Sequence, residues 1–207
     1  MSTERRWATL TLDNLDDLLE PCRSCVFWEL DSVAGQRARE AGDPALEKEA
    51  WVSATLLTWG SCGTILYQGD AAVGYVLYAP AAFLPRSATF PTSPISADAL
   101  QLVTARVHVE ERGHGLGRAL VQAAARDLAR RGARALEAYG DTQAEPGGCL
   151  LPAEFLLAVG FKTVRPHHRW PRLRLELRSM VTLTAEVEAA LERIIGAVRP
   201  EPALRPI

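Results

Sequence analysis

Residues 100–118 read Leu-Gln-Leu-Val-Thr-Ala-Arg-Val-His-Val-Glu-Glu-Arg-Gly-His-Gly-Leu-Gly-Arg. The first ten of these residues are rich in β-branched and apolar side chains and predict a strand over 100–109. Glycines follow at 113, 115 and 117. Beyond them Leu116, Ala119, Leu120, Ala123, Ala124 and Leu128 recur at three- and four-residue spacing, with Arg118, Gln122, Arg126 and Arg130 elsewhere around the helix. Gly132 stops this helix, and residues 133–139 predict another strand, so the unit is a parallel strand-loop-helix-strand crossover. A strand that ends in a glycine-rich turn and opens a helix leaves backbone N–H groups unpaired at the positive end of the helix dipole. Such a turn suits a pyrophosphate. Glycine at 113, 115 and 117 is expected to permit close backbone approach, Arg112 and Arg118 to supply charge, and His114 to add a donor. The Walker loop is excluded because no Gly-Lys-Ser/Thr follows. A dinucleotide fingerprint is excluded because it sits after a first strand with an acidic residue about twenty positions on.

Working outward, residues 6–12 alternate apolar and polar and predict an opening strand, followed by a helix start at 15–19. A helix is expected from Pro44 to Trp59, with Asp43 as cap and Pro44 at its first position. Residues 63–68 and 72–78 form a hairpin around Gly69-Asp70. The Pro-rich stretch 79–98 reads as an ordered loop. Downstream, residues 152–159 predict a short helix closed by Gly160, and residues 161–164 and 173–178 an antiparallel ribbon. A last amphipathic helix around 187–195 precedes a Pro-rich tail.

A chain of 207 residues can bury one sizeable core, and a single domain is expected. Its apolar runs fall short of the roughly 20 residues of a membrane helix. The first residues lack the apolar segment of a secretory leader, so a cytoplasmic protein without membrane contact is expected. A net charge of −2 offers no concentrated basic face for nucleic acid. Residues 1–50 hold eleven acidic against six basic side chains, which favours a cationic acceptor if that region meets one.

The run 107–120 resembles the motif Arg/Gln-x-x-Gly-x-Gly/Ala that follows the fourth strand in the GNAT acetyltransferase superfamily, with Arg112, Gly115 and Gly117 in the defining places. Phe155 to Phe161 resembles that family's helix-to-strand segment ending in Gly-Phe. The resemblance implies an α/β fold with a mixed, mostly antiparallel twisted sheet, the parallel crossover at its centre and helices flanking it. It covers a domain of residues 1–178 and leaves 179–207 outside. It also implies acetyl-CoA as co-substrate, with the backbone of Val107 and Val109 on the pantetheine arm, residues 112–118 (Leu116 among them) on the pyrophosphate, and the thioester admitted between two splayed strands.

Acetyl transfer to an amine needs a neutral nucleophile and an acid for the departing thiolate. The family commonly supplies a Tyr from the late helix, where Leu156 stands here. Glu137 and Tyr139 share one face of the strand after the glycine helix and are the expected catalytic pair, with His108 as a third candidate and a packed core role as the alternative for Tyr139 and His108. Cys22, Trp28 and Phe83 are expected to line the acceptor pocket. Cys22 and Cys25 have metal-ligand or redox spacing, but with Cys62 and Cys149 standing alone, no metal is assigned. Two functions remain: an N-acetyltransferase acting on a small-molecule or protein amine, and a non-catalytic acyl-CoA sensor whose last helix recruits a partner. A homodimer is compatible with either.

Overall fold

The computed structural model describes residues 4–145 and 147–177; the expected last helix and tail lie outside them. The strands are β1 (Arg5–Thr9), β2 (Gly63–Gln68), β3 (Ala71–Ala79), β4 (Ala99–Val107), β5 (Ala135–Asp141), β6 (Leu151–Pro152), β7 (Lys162–Arg165) and β8 (Arg172–Glu176). They form one sheet in the order β1-β2-β3-β4-β5-β8-β7, with β6 joined to β5. Every pairing is antiparallel except β4 with β5 and β5 with β6. The sheet is thus the expected mixed one, with the parallel pair at its centre.

The helices are α1 (Ser32–Ala41), α2 (Pro44–Trp59), α3 (Leu116–Arg130) and α4 (Ala153–Val159). Along α3 the apolar stripe Leu116, Leu120, Val121, Ala124, Ala125 and Leu128 is buried against the β3 and β4 face, together with Val76, Tyr78 and Leu102. The opposite face of the sheet is covered by the N-terminal segment, α2 and the 80–95 loop, whose core includes Leu15, Trp28, Val52, Leu84 and Phe90. Strand alternation divides β5 between the layers: Leu136 and Ala138 face α3, and Tyr139 faces the other core.

Two expectations shift, and one helix is new. The helix start at 15–19 is a short 3-10 turn, Leu12–Asp17, held by Asn14 accepting from the Thr11 N–H at 2.8 Å. The strand expected to run to 109 ends at Val107, because the His108 N–H closes onto the Val73 carbonyl at 2.8 Å and the chain turns through Val109–Glu111. Helix α1 escaped the sequence pattern because it buries only Gly35 and Ala38; its start is set by Asp31, which accepts from the Val33 and Ala34 N–H groups at 2.8 and 2.9 Å.

The feature that positions the site is a split. β4 and β5 pair only where Ala99–Gln101 meets Ala135–Glu137, and beyond that point they diverge. The segment 147–151 enters the gap, with Leu151 paired to Gly140. Arg106 of β4 fixes this segment by donating to the Gly147 carbonyl at 2.8 Å and also to that of Gly148.

Candidate functional site

On the α3 side of the split lies a cleft of about 460 Å³. Its walls are β4 from Thr104 to Val107, the glycine turn, the start of α3, residues 147–152 and the α4 face presenting Phe155. Gly113 and Gly115 have φ of +82° and +77°, and a Cβ at either would meet nothing within 4 Å. The left-handed backbone, rather than crowding, therefore requires glycine there. Gly117 is different, since a Cβ would come within 3.2 Å of the Phe155 ring. The first intrahelical bond runs from Ala119 to Gly115 at 3.1 Å, so the N–H groups of Leu116, Gly117 and Arg118 begin the helix without intrahelical partners on the cleft wall. Arg106, Arg112 and Arg118 line the same cleft, beside Glu111 and Glu145. Three guanidiniums and a helix N-terminus suit a ligand with several phosphate charges, and the long groove beside β4 suits an extended arm. Of the sequence-predicted contacts, Val107, Arg112, Gly113, Gly115, Leu116, Gly117 and Arg118 line the cleft. Val109, 65% exposed, and His114, whose Nδ1 sits 3.3 Å from the Glu111 carbonyl, lie off its walls.

Leu156, where a Tyr was sought, is fully buried in the core. The α4 residues on the cleft are Phe155, Ala158 and Val159, none of which carries a proton to give.

Across the 149–151 segment is a second cavity of about 290 Å³, lined by Phe27, Arg86, Phe90, Asp141, Arg169 and Trp170 among others. Leu150 lines both cavities. Alternation along β5 gives Glu137, Tyr139 and Asp141 one common face, as expected for the first two, but only Asp141 reaches this cavity. Glu137 is fully buried and committed: it accepts from Arg172 at 2.7 Å, Arg174 at 3.0 Å and the Ser96 N–H at 3.1 Å. A carboxylate with two guanidiniums on it ties β5 to β8, and it lines neither cavity. Tyr139, 2% exposed, stacks on Phe90 at 4.4 Å and lies near-parallel to Trp28 at 6.0 Å. Its hydroxyl finds no hydrogen-bond partner among the described residues, and burial pushes its pKa up to about 12. His108 is exposed and outside both cavities.

The expected acceptor-side residues also move. Phe83 lines neither cavity: its side chain packs against the core that holds Trp28 and Phe90, and its carbonyl accepts from the Trp51 indole at 2.7 Å. Cys22 and Trp28 border a small void together with Cys25, Glu29, Lys48, Thr104 and Cys149. Trp28 donates from Nε1 to the Cys149 carbonyl at 2.9 Å, and Cys25 and Cys149 approach to 3.5 Å between sulfurs. The Cys149 thiol stabilises the Cys25 thiolate and lowers its pKa to about 6, while the same contact raises that of Cys149. Lys48 and Glu29, both 2% exposed, form a buried ion pair beside them. Among the described residues no three ligating side chains gather to hold a metal.

Sequence reasoning missed Asp141, Arg86, Arg169 and Trp170. Continuing the β5 alternation by two would have reached Asp141. Arg169 and Trp170 occupy the β7–β8 turn and are brought in by tertiary contacts, the Trp170 carbonyl accepting from Thr92 at 2.9 Å.

The family model of the Acetyltransferase (GNAT) family matches residues 12–146, and the chain belongs to that family. Among solved structures of similar fold is the PaiA N-acetyltransferase of Thermoplasma acidophilum in complex with coenzyme A. It is 12% identical, has a TM-score of 0.56, and the match covers 84% of this chain and 99% of that one. An N-acetyltransferase from Staphylococcus aureus Mu50 matches with 14% identity, TM-score 0.54 and coverage of 84% and 99%. The YncA protein of Salmonella typhimurium, with its cofactor acetyl-CoA, matches with 13% identity, TM-score 0.50 and coverage of 84% and 94%. Curated protein sequences give no match. At these identities the likeness establishes the fold, and the family establishes acetyl transfer from acetyl-CoA as the general chemistry. No helix among the described residues is long and apolar enough to cross a membrane.

Proposed function

We propose that the protein is an N-acetyltransferase that moves the acetyl group of acetyl-CoA directly onto an amine held in the aromatic-walled cavity. One observation carries this reading: the phosphate-suited cleft and the Asp141 cavity meet at Leu150, where β4 and β5 diverge. Acetyl-CoA supplies the activated carbonyl. The glycine turn with Arg112 and Arg118 holds its phosphates, and the groove beside Thr104 to Val107 takes the pantetheine arm. Asp141 holds the ammonium form of the acceptor and takes the proton that must leave before nitrogen attacks. With Phe155 on the cleft face of α4, the departing thiolate takes its proton from water.

The absence of an acid at Phe155 also favours the sensor alternative, in which acetyl-CoA binds without turnover. Thiol release from acetyl-CoA across a panel of primary amines separates the two. Steady amine-dependent release, reduced roughly hundredfold or more in Asp141→Asn, supports the enzyme. Tight acetyl-CoA binding without release for any amine supports the sensor.

A further inference from the structure

We propose that the acceptor is an aromatic amino acid, with its ring among Phe27, Phe90 and Trp170, its carboxylate on Arg86 and its ammonium on Asp141. The inference rests on the acetyltransferase reading and adds the substrate class.

The walls come first. Phe90 is fixed on three sides, stacked at 5.2 Å from Trp28 and 4.4 Å from Tyr139 and edge-on to Trp170 at 6.1 Å. Rings already locked against one another lose little freedom when a further ring packs on them, and they favour offset or edge-on aromatic partners over aliphatic ones. The cavity's volume, about 290 Å³, lies at the lower end of the roughly 300–1,000 Å³ of small-molecule sites. It matches a single amino acid better than a long polyamine.

The charges come second. Arg86 lies over the Phe27 ring at 4.8 Å, half-buried, and forms no salt bridge among the described residues. Arg23, Arg169, Arg172 and Arg174 each have a carboxylate. A partly desolvated guanidinium facing a cavity without a counter-ion calls for an anion from the ligand, and a carboxylate fits its fork. Asp141 uses Oδ1 for the Gln143 N–H at 2.9 Å and for Arg169 Nε at 3.6 Å. Its Oδ2 accepts no hydrogen bond among the described residues, which suits an ammonium donor. A polycation meets two guanidiniums against one carboxylate here and is disfavoured.

The acidic character of the first fifty residues does not oppose this. Asp16 and Glu49 pair with Arg23, Glu29 pairs with Lys48, Asp17 accepts from Tyr67, and Asp31 caps α1. In the transfer the ammonium gives a first proton to Asp141, its nitrogen bonds the acetyl carbon and gives up a second, the carbon–sulfur bond breaks and the thiolate takes one proton through water, so that N-acetyl amino acid, free thiol and one proton result.

The test uses the full chain with tryptophan, tryptamine, leucine, spermidine and a short peptide with a free N-terminus, reading thiol release and, by calorimetry in the presence of CoA, tryptophan binding. Expected is a kcat/KM for tryptophan at least tenfold above tryptamine and leucine. Arg86→Gln should erase the tryptophan–tryptamine difference through KM, Arg86→Lys should restore part of it, and acetyl-CoA affinity should stay unchanged in both. Preference for spermidine or the peptide overturns the inference while leaving the acetyltransferase reading intact, as does a slowing of all amines alike by Arg86→Gln. If tryptophan binds in an Arg86-dependent way without thiol release, the amino-acid site stands and the acetyltransferase reading falls. If tryptophan neither binds nor reacts, the inference falls.

Discussion

The cavities on the two sides of Leu150 are built in opposite ways. The cleft proposed for acetyl-CoA draws most of its polar groups from one run of chain, β4 through the first turn of α3. Its geometry follows from local rules: a strand must end, two residues must adopt positive φ, and a helix must start with its N–H groups free. The cavity proposed for the acceptor is assembled from residues 27, 86–91, 141, 150 and 169–170, which no local pattern links. The difference teaches that a binding site made by backbone amides is written in consecutive residues, whereas one made by side chains from five segments exists only after folding.

The largest effect expected from breaking this comparison is at Glu137. If it is the tie between β5 and β8, Glu137→Ala strands Arg172 and Arg174 and lowers the unfolding free energy by about 3–5 kcal/mol, read from urea midpoints. Unchanged stability with lost turnover would return it to the catalytic role expected from its position. On the other side, Gly115→Glu forces a side chain into φ +77° and adds negative charge at the α3 N-terminus. A loss of about 3 kcal/mol, or roughly a hundredfold in acetyl-CoA affinity by calorimetry, is expected.

A smaller effect concerns the thiols that anchor the segment between the cavities. The fold lowers the Cys25 pKa to about 6, so it favours the thiolate; the associated stability is present above the ordinary thiol range near 9 and is lost as pH falls through about 6. Alkylation of Cys25 should accordingly lose rate with a midpoint near pH 6, and Cys149→Ala should move that midpoint back toward 9. A midpoint near 9 in the unmodified protein would break the pairing at 3.5 Å. Smallest of all is Tyr139→Phe. Its hydroxyl bonds nothing among the described residues, so stability should change by no more than about 0.5 kcal/mol, and turnover should hold while Asp141→Asn loses it. A fall in kcat in Tyr139→Phe without a fall in stability would restore Tyr139 as a proton donor.

The β5 strand shows how far residue order alone could be read. Alternation correctly grouped Glu137 with Tyr139, and the same rule extends to Asp141. It does not say which of the three faces solvent, a salt bridge or a cavity, because that depends on what packs over each. Arg172 and Arg174 lie 35 and 37 residues from Glu137, and with the Ser96 N–H they occupy its carboxylate. Likewise, the sequence shows Leu156 at the helix position where the family commonly has a Tyr, but the turn of α4 that places Phe155, Ala158 and Val159 on the cleft is visible only with α3 and the 147–152 segment in place. The Cys22–Cys25 spacing leaves open what either thiol meets. Cys25 has its sulfur partner 124 residues away, in Cys149.

By itself, the order of residues 100–139 determined the strand, glycine turn, helix and returning strand, and with them the phosphate-suited end of the site. Backbone hydrogen bonding and side-chain periodicity act between residues a few positions apart, so spacing is enough to specify them. Tertiary structure decided the rest: the split between β4 and β5, the burial of Glu137, the exposure of Asp141 to the second cavity, and the meeting of Arg86 with Phe27 and of Arg169 with Trp170. Those depend on desolvation and on contacts across the whole chain, quantities that no short stretch of sequence contains.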